Sequence, residues 1–245
     1  MNSSPSIVLR VVLAMMLAGA ALRWLEPHAG QLSPVNRATG ASAMTIAALG
    51  GYRTFAADLA WLRAYAAWEE RDGAAMSRWL HATTSLDPEP LAFWLNGARM
   101  LAYDMPRWSD ASEAGGVASS EWSNDPALAL RWLDAAERVH PESPAIWTER
   151  AMIQWRALGD VTAAAESYRR AAELPAAPYY AARLHAELLR LDGRPRDAWT
   201  FLRELHPRLS PSDPAAMRDV VLARIRELET ELDVAEEDAY RPPAP

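Results

Sequence analysis

The sequence predicts an all-α chain built from helical hairpins that repeat along its length. Breakers recur at a fixed interval: Pro141 and Pro175 are 34 residues apart, and so are Gly159 and Gly193. Between them apolar residues return every three or four positions, the spacing of one helix face. Half of the residues are hydrophobic, Ala is abundant, and β-branched runs are scarce, a balance that favours helices over strands. A helix pair of this size cannot bury its own apolar face, so it needs neighbours stacked on it.

In chain order, residues 7–25 form an apolar run of 19, about the length needed to cross a bilayer. Arg10 is placed to snorkel to one headgroup layer and Trp24 to sit at the other. The run is expected to be a transmembrane anchor. A signal peptide cut near Ala18-Gly19-Ala20 and an ordinary buried helix are the alternatives. Residues 26–49 hold Pro27, Gly30, Pro34 and Gly40, and are expected to be a linker or strap. Repeats are expected over 50–208. In the first pair Trp61, Tyr65 and Trp68 share a face, Asp72-Gly73 marks the turn, and Met76, Leu80, Thr83 and Leu86 continue the stripe up to Pro88.

A helix over 91–105 presents Trp94, Ala98, Leu101 and Ala102 and is expected to stop at Met105-Pro106. Residues 106–124 are expected to be a loop inserted into the repeat. Pro88 and Pro141 are 53 apart, one period plus the 19 residues of this insertion. Asp125 is the expected cap of a following helix with Pro126 at its first position, and Ala129, Leu133, Ala136 and Val139 on its stripe. The clearest pair is 145–175. Ile146, Ala151, Ile153 and Trp155 mark its first helix, Leu158-Gly159-Asp160 its turn, and Ala164, Tyr168, Ala171 and Leu174 its second. A further pair runs to Leu205 with Ala186, Leu189, Ala198 and Leu202. Residues 209–232 are expected to be a capping helix with Val221, Ile225, Leu228 and Leu232 on its apolar stripe. Residues 233–245 are expected to be a disordered tail.

The 145–175 unit resembles a tetratricopeptide repeat (TPR), with small residues where the helices touch, Gly at the turn and Pro at the end. That resemblance implies a TPR-like solenoid, a right-handed superhelix of hairpins, whose concave groove is lined by the first helix of each pair. Positions 5, 9 and 12 of each repeat face the groove in such folds. Here they are Trp61, Tyr65 and Trp68; Leu95, Arg99 and Ala102; Glu149, Ile153 and Arg156; Arg183, Glu187 and Arg190. The implied groove is aromatic at one end and Arg-rich at the other, which suits an extended peptide with an apolar anchor and an acidic or carboxylate end. The Lys and Asn of the TPR carboxylate clamp are not reproduced. The segments Leu49-Gly50-Gly51-Tyr52-Arg53, Ala57-Asp58-Leu59, Trp61-Leu62-Arg63, Trp94-Leu95-Asn96-Gly97-Ala98 and Ala102-Tyr103-Asp104-Met105 resemble a group of uncharacterised bacterial proteins with one N-terminal membrane segment and a TPR-like domain. That likeness covers roughly residues 7–230. It implies membrane association and carries no activity and no catalytic residue.

Several residues have both a structural and a functional reading. Trp61 and Trp68 fit the core as well as the groove, and Arg156, Arg183 and Arg190 fit a solvated face as well as a partner site. Arg53 and Asp58 are expected to form an internal ion pair that fixes a helix entry. Asn96, Tyr103 and Asp104 are expected to hydrogen-bond across the insertion. Trp108 and Trp122, in a polar insertion, would either contact a partner or membrane surface or tuck into the repeats.

Composition excludes some functions. The net charge of −7 argues against nucleic-acid binding. Acidic residues crowd near the C-terminus, where Glu227, Glu229, Glu231, Asp233, Glu236, Glu237 and Asp238 fall within twelve positions. All basic residues are Arg, which we attribute to a GC-rich genome before function. With no Cys there is no disulfide, thiol nucleophile or thiolate metal site. No metal-binding or phosphate-binding motif occurs, so neither a metal nor a cofactor is expected. The expectation is a non-enzymatic scaffold at a bacterial inner membrane. It would be single-pass with a periplasmic soluble domain, and would bind a protein or peptide in an envelope, secretion or pilus-type assembly. The alternative is an envelope glycan-binding or glycan-processing protein, with paired carboxylates drawn from Asp58, Glu69, Glu70, Asp104 and Glu113.

Overall fold

The computed structural model describes residues 40–112 and 126–242. Among them every regular element is helical. The chain divides into two compact units, Met1–Leu49 and Gly50–Pro245. In the first, the described residues open the long helix α1 (Gly40–Glu69). No helix among the described residues is long and apolar enough to cross a membrane, and the expected anchor at 7–25 lies outside them.

Within the second unit the rest of α1 leads to α2 (Gly73–Leu86), α3 (Leu91–Arg99), a π-helical turn (Met100–Asp104) and α4 (Met105–Ser112). After the gap come α5 (Ala127–Val139), α6 (Pro144–Arg156), α7 (Val161–Glu173), α8 (Tyr179–Leu191), α9 (Pro195–Leu205) and α10 (Arg218–Glu231). Helices adjacent in sequence pack on each other from α5 to α10, and α3 packs on both α5 and α6.

The cores follow the apolar stripes. Met76 and Leu80 of α2, Trp94 and Ala98 of α3, and Leu133 and Ala136 of α5 form one cluster. Tyr168 and Ala171 of α7, Leu188 and Leu189 of α8, Leu202 of α9, and Ile225 and Leu228 of α10 form the other. Helix α6 serves both, with Ile146 and Ile153 in the first and Ala151 in the second. Each fully buried Ile or Leu contributes about 1.5–3 kcal/mol.

Helix starts are capped as their sequences suggest. Asp72 accepts from Ala75 N at 2.8 Å and Asp160 from Ala163 N at 2.9 Å. Pro144 and Pro195 occupy first turns, where no backbone donor is needed. Gly159 and Gly193 take left-handed backbone, φ 70° and 74°. In the first pair, however, the left-handed residue is Arg71, φ 58°, not Gly73. Its turn closes through Asp72 N to Ala67 O at 2.9 Å, as Arg194 N to Leu189 O at 2.9 Å closes the turn at Gly193. Gly73 lies in the first turn of α2, where a Cβ would stand 3.1 Å from Met105 Sδ. Its role is close packing, so Asp72-Gly73 marks the helix start.

Four further expectations need correction. The helix does not stop at Pro106 but runs to Ser112. Pro lacks a donor and its ring crowds the carbonyl four residues back. The π turn widens the helix just before it, with Met105 N bonded to Met100 O. Residues 106–112, expected in an inserted loop, are therefore helical, and Trp108, on α4, packs partly buried against the first core. Trp122, Glu113 and the expected Asp125 cap lie outside the described residues. Arg53 and Asp58 form no ion pair, since positions five apart on a helix point in different directions. Arg53 instead donates to Leu86 O at 3.1 Å, satisfying a carbonyl at the end of α2. Finally, residues 233–240 belong to the folded unit, because Tyr240 is buried in the second core. Its backbone N donates to Glu229 Oε1 at 2.5 Å and its hydroxyl lies 3.0 Å from His206 Nδ1.

Candidate functional site

Helices α3, α6, α7 and α8 enclose an open cleft of about 690 Å³. Helix α6 forms one wall with Glu149, Met152 and Arg156, a spacing of three and four that returns to one face. Leu95 and Arg99 of α3 and Tyr103 of the π turn line it, as do Tyr168 of α7 and Tyr180 and Leu184 of α8.

Four of the expected groove positions, Leu95, Arg99, Glu149 and Arg156, thus meet at one cleft. Ala102 and Ile153 do not, since both are buried. The π turn explains Ala102: its wider winding brings the residue four beyond Arg99, Tyr103, to the cleft face in place of the residue three beyond. On α6 the register favours Met152 over Ile153.

Arg183, Glu187 and Arg190 lie elsewhere. Arg183 and Glu187 line a second cleft of about 340 Å³ with Val220 and Arg224. Arg183 donates to Ala215 O and Ala216 O at 3.3 and 3.4 Å, bracing the short turn before α10. Arg190 pairs with Glu187 at 2.7 Å, and Glu187 also meets Arg224 at 3.4 Å. Trp61 packs beside Phe93 with ring centroids 5.4 Å apart, and Trp68 stacks with the exposed Tyr65 at 5.2 Å. Trp68 Nε1 donates to Asp104 Oδ2 at 2.9 Å, so Asp104 is engaged structurally. Asn96 is exposed, and so are Asp58, Glu69 and Glu70. None of Asp58, Glu69, Glu70 and Asp104, the described carboxylates considered for glycan chemistry, lines this cleft or the second one.

The cleft's polar groups fall into two sets. Glu149, buried on α6, is held by the exposed Arg99 through Nη2 at 2.6 Å and through Nε to both carboxylate oxygens at 3.0 Å. This charged pair raises the Arg99 pKa above its ordinary value, against the opposing effect of burial. Arg156, in contrast, makes no ion pair among the described residues, and its guanidinium lies 3.9 Å over the Trp155 ring. The formal charge around the cleft is therefore that of Arg156.

The second set is two tyrosine hydroxyls. Tyr103 Oη and Tyr168 Oη are buried without a hydrogen-bond partner among the described residues. Burial raises both pKa values, Tyr168 to about 12, and the nearby Glu149 charge adds to each. Both stay protonated at neutral pH as donors. Buried polar groups are normally satisfied, so two orphans beside one cleft are a site-like feature. Donor hydroxyls with a guanidinium suit acceptor-rich groups such as carboxylates. No group of three His, Asp or Glu that could hold a metal occurs among the described residues.

Tyr103, Met152, Tyr168, Tyr180 and Leu184 line the cleft without being among the expected groove positions. Tyr180 carried a signal, since it stands four residues before Leu184 on the same face of α8. Comparison with family models, with curated proteins and with solved structures finds no match to this chain.

Proposed function

We propose that the chain is a membrane-tethered TPR-like scaffold whose α3–α6–α8 cleft receives a protein segment bearing an acidic side chain or a terminal carboxylate. The observation that carries this reading is the placement around one cleft of Tyr103 and Tyr168, two buried hydroxyls without hydrogen-bond partners among the described residues, with Arg156, which makes no ion pair among them. The repeat period supports a right-handed solenoid of hairpins, with Gly159 and Gly193 in equivalent left-handed turns. In that arrangement α10 is the capping helix, its outer faces charged and its inner stripe closing the last core. The apolar run at 7–25 supports a bacterial inner-membrane tether, with the repeats in the periplasm serving an envelope, secretion or pilus-type assembly.

The test is affinity purification of the full-length chain from detergent-solubilised native membranes, beside Arg156→Ala and Tyr168→Phe. Neither substitution removes a hydrogen bond or ion pair that the fold uses. A protein that accompanies the wild type and is lost with both variants is the expected result. A partner retained by both would place binding outside the cleft and sink the proposal.

A further inference from the structure

Most of the residues that helix α1 buries are small. Along the face it turns to its own domain, Ala57, Ala60, Ala64 and Ala67 are buried to 5% exposure or less. Trp61 and Trp68 pack partly buried against the first core, but the other large apolar residues point away: Tyr52, Phe55, Leu59, Leu62 and Tyr65 are 59%, 56%, 48%, 61% and 44% exposed. A surface helix ordinarily buries its large residues and exposes its small ones. This exposure means that the large face is made for something other than the core that the described residues form.

The spacing says what that is. Tyr52, Phe55, Leu59, Leu62 and Ala66 follow one another at three, four, three and four, the a and d positions of two successive heptads. An average of 3.5 residues is the seam of helix against helix, and the exposed Tyr65 stands at the g position that flanks it. In this register Asp58 is a g position and Arg63 the e position that follows. Both are exposed, and neither makes an ion pair among the described residues. In a parallel pair of identical helices, g of one faces the next e of the other, so Asp58 meets Arg63 twice by symmetry. In an antiparallel pair g faces g, and Asp58 would meet Asp58. A lipid-surface helix flanks its apolar face with basic residues on both sides, whereas this seam has an acid on one side and a base on the other.

We propose that α1 forms a parallel homodimer through the Tyr52, Phe55, Leu59 and Leu62 seam, keyed by Asp58–Arg63 pairs between the two copies. This holds whatever the cleft binds, because the seam uses none of the cleft's residues.

The chain has no Cys, so each introduced thiol is the only one present. Full-length Phe55→Cys and Leu62→Cys, oxidised in mild detergent, should each link to a second copy of itself, while Ser85→Cys, exposed on α2, should not. By light scattering and sedimentation the wild type should have the mass of two chains. Asp58→Arg or Arg63→Asp alone should weaken the dimer on the order of tenfold by replacing two attractions with two repulsions. The double variant Asp58→Arg/Arg63→Asp should restore it. Both residues are exposed and make no ion pair among the described residues, so folding should be unaffected, and circular dichroism checks this. A monomeric wild type, self-linking by Asp58→Cys in place of Phe55→Cys, or reversals that change nothing would each overturn the proposal. So would a monomer that binds phospholipid vesicles through this face and loses binding in Leu59→Glu/Leu62→Glu.

Discussion

The indole of Trp132 lies directly against Gly97, so that a Cβ on Gly97 would stand 3.0 Å from Trp132 Cζ2. Trp132 is not free to retreat. Its Nε1 donates to Trp94 O at 2.8 Å, and its ring meets Trp94 at 4.9 Å and His81 at 5.0 Å. A helical glycine normally costs about 1 kcal/mol against Ala, and here that cost is offset by the close approach of α3 and α5. Gly97→Val is expected to destabilise the fold by about 1–3 kcal/mol through overpacking. Urea denaturation followed by Trp fluorescence would measure it, and an unchanged midpoint would show that the contact is dispensable.

Among the described residues, left-handed backbone falls at Gly159 and Gly193 and at the non-glycine positions Arg71, Ala176, Met217 and Asp233. At Gly159 nothing lies within 4 Å of a built Cβ, so the backbone alone decides the outcome of a substitution. Gly159→Ala is expected to cost about 1 kcal/mol. Arg71→Asn should have the opposite sign and gain up to about 1 kcal/mol, because Asn tolerates this conformation. Thermal denaturation of the two variants should move in opposite directions.

The Arg99–Glu149 pair joins α3 to α6 across one wall of the cleft. Arg99→Ala leaves a buried carboxylate without its main partner, with an expected loss of about 1.5–3 kcal/mol. Arg99→Lys should not restore it, since the bonds come from Nε and Nη2 of one planar fork. Arg99→Ala/Glu149→Gln should recover part of the loss. Denaturant midpoints of the variants form the cycle that reads the coupling.

Burial lowers the pKa of both His185 and His206. His185 Nδ1 lies 2.8 Å from Ala165 O, packed edge-on to Phe201. His206 faces the Tyr240 hydroxyl, with the Arg218 charge further lowering its pKa and Asp219 opposing. A depressed histidine pKa means that the unfolded chain binds more protons than the folded one. Stability is then complete above the unfolded value, about 6.5, and is lost as pH falls through the folded value. The melting temperature is expected to drop between pH 7.5 and 5.5, before the carboxylates titrate, and less so in His206→Gln. Tyr240→Ala, which empties the same pocket, should cost about 3 kcal/mol at any pH in that range.

The cleft was half legible in the sequence. Leu95, Arg99, Glu149 and Arg156 could be placed together because helical spacing and the repeat interval are local properties that survive without knowledge of the packing. Tyr103 could not, since Pro106 reads as a helix end and nothing local announces the π turn before it. Arg183 and Arg190 looked equivalent to Arg156, but charged side chains choose partners by proximity, and Glu187 and the carbonyls before α10 are close to them. The expected pair of Arg53 and Asp58 failed because positions five apart on one helix do not face each other.

The amino-acid order alone carried the all-helical class, most of the helix limits and the apolar stripes, because breakers, caps and periodicity act within a few residues. Folding settled what depends on atoms distant in the chain. It set Gly97 beneath Trp132, brought Tyr240 back to His206, left Tyr103 and Tyr168 without hydrogen-bond partners among the described residues beside one cleft, and turned a large apolar face of α1 outward. Each of these is a balance of burial against desolvation between segments that the chain brings together only when packed.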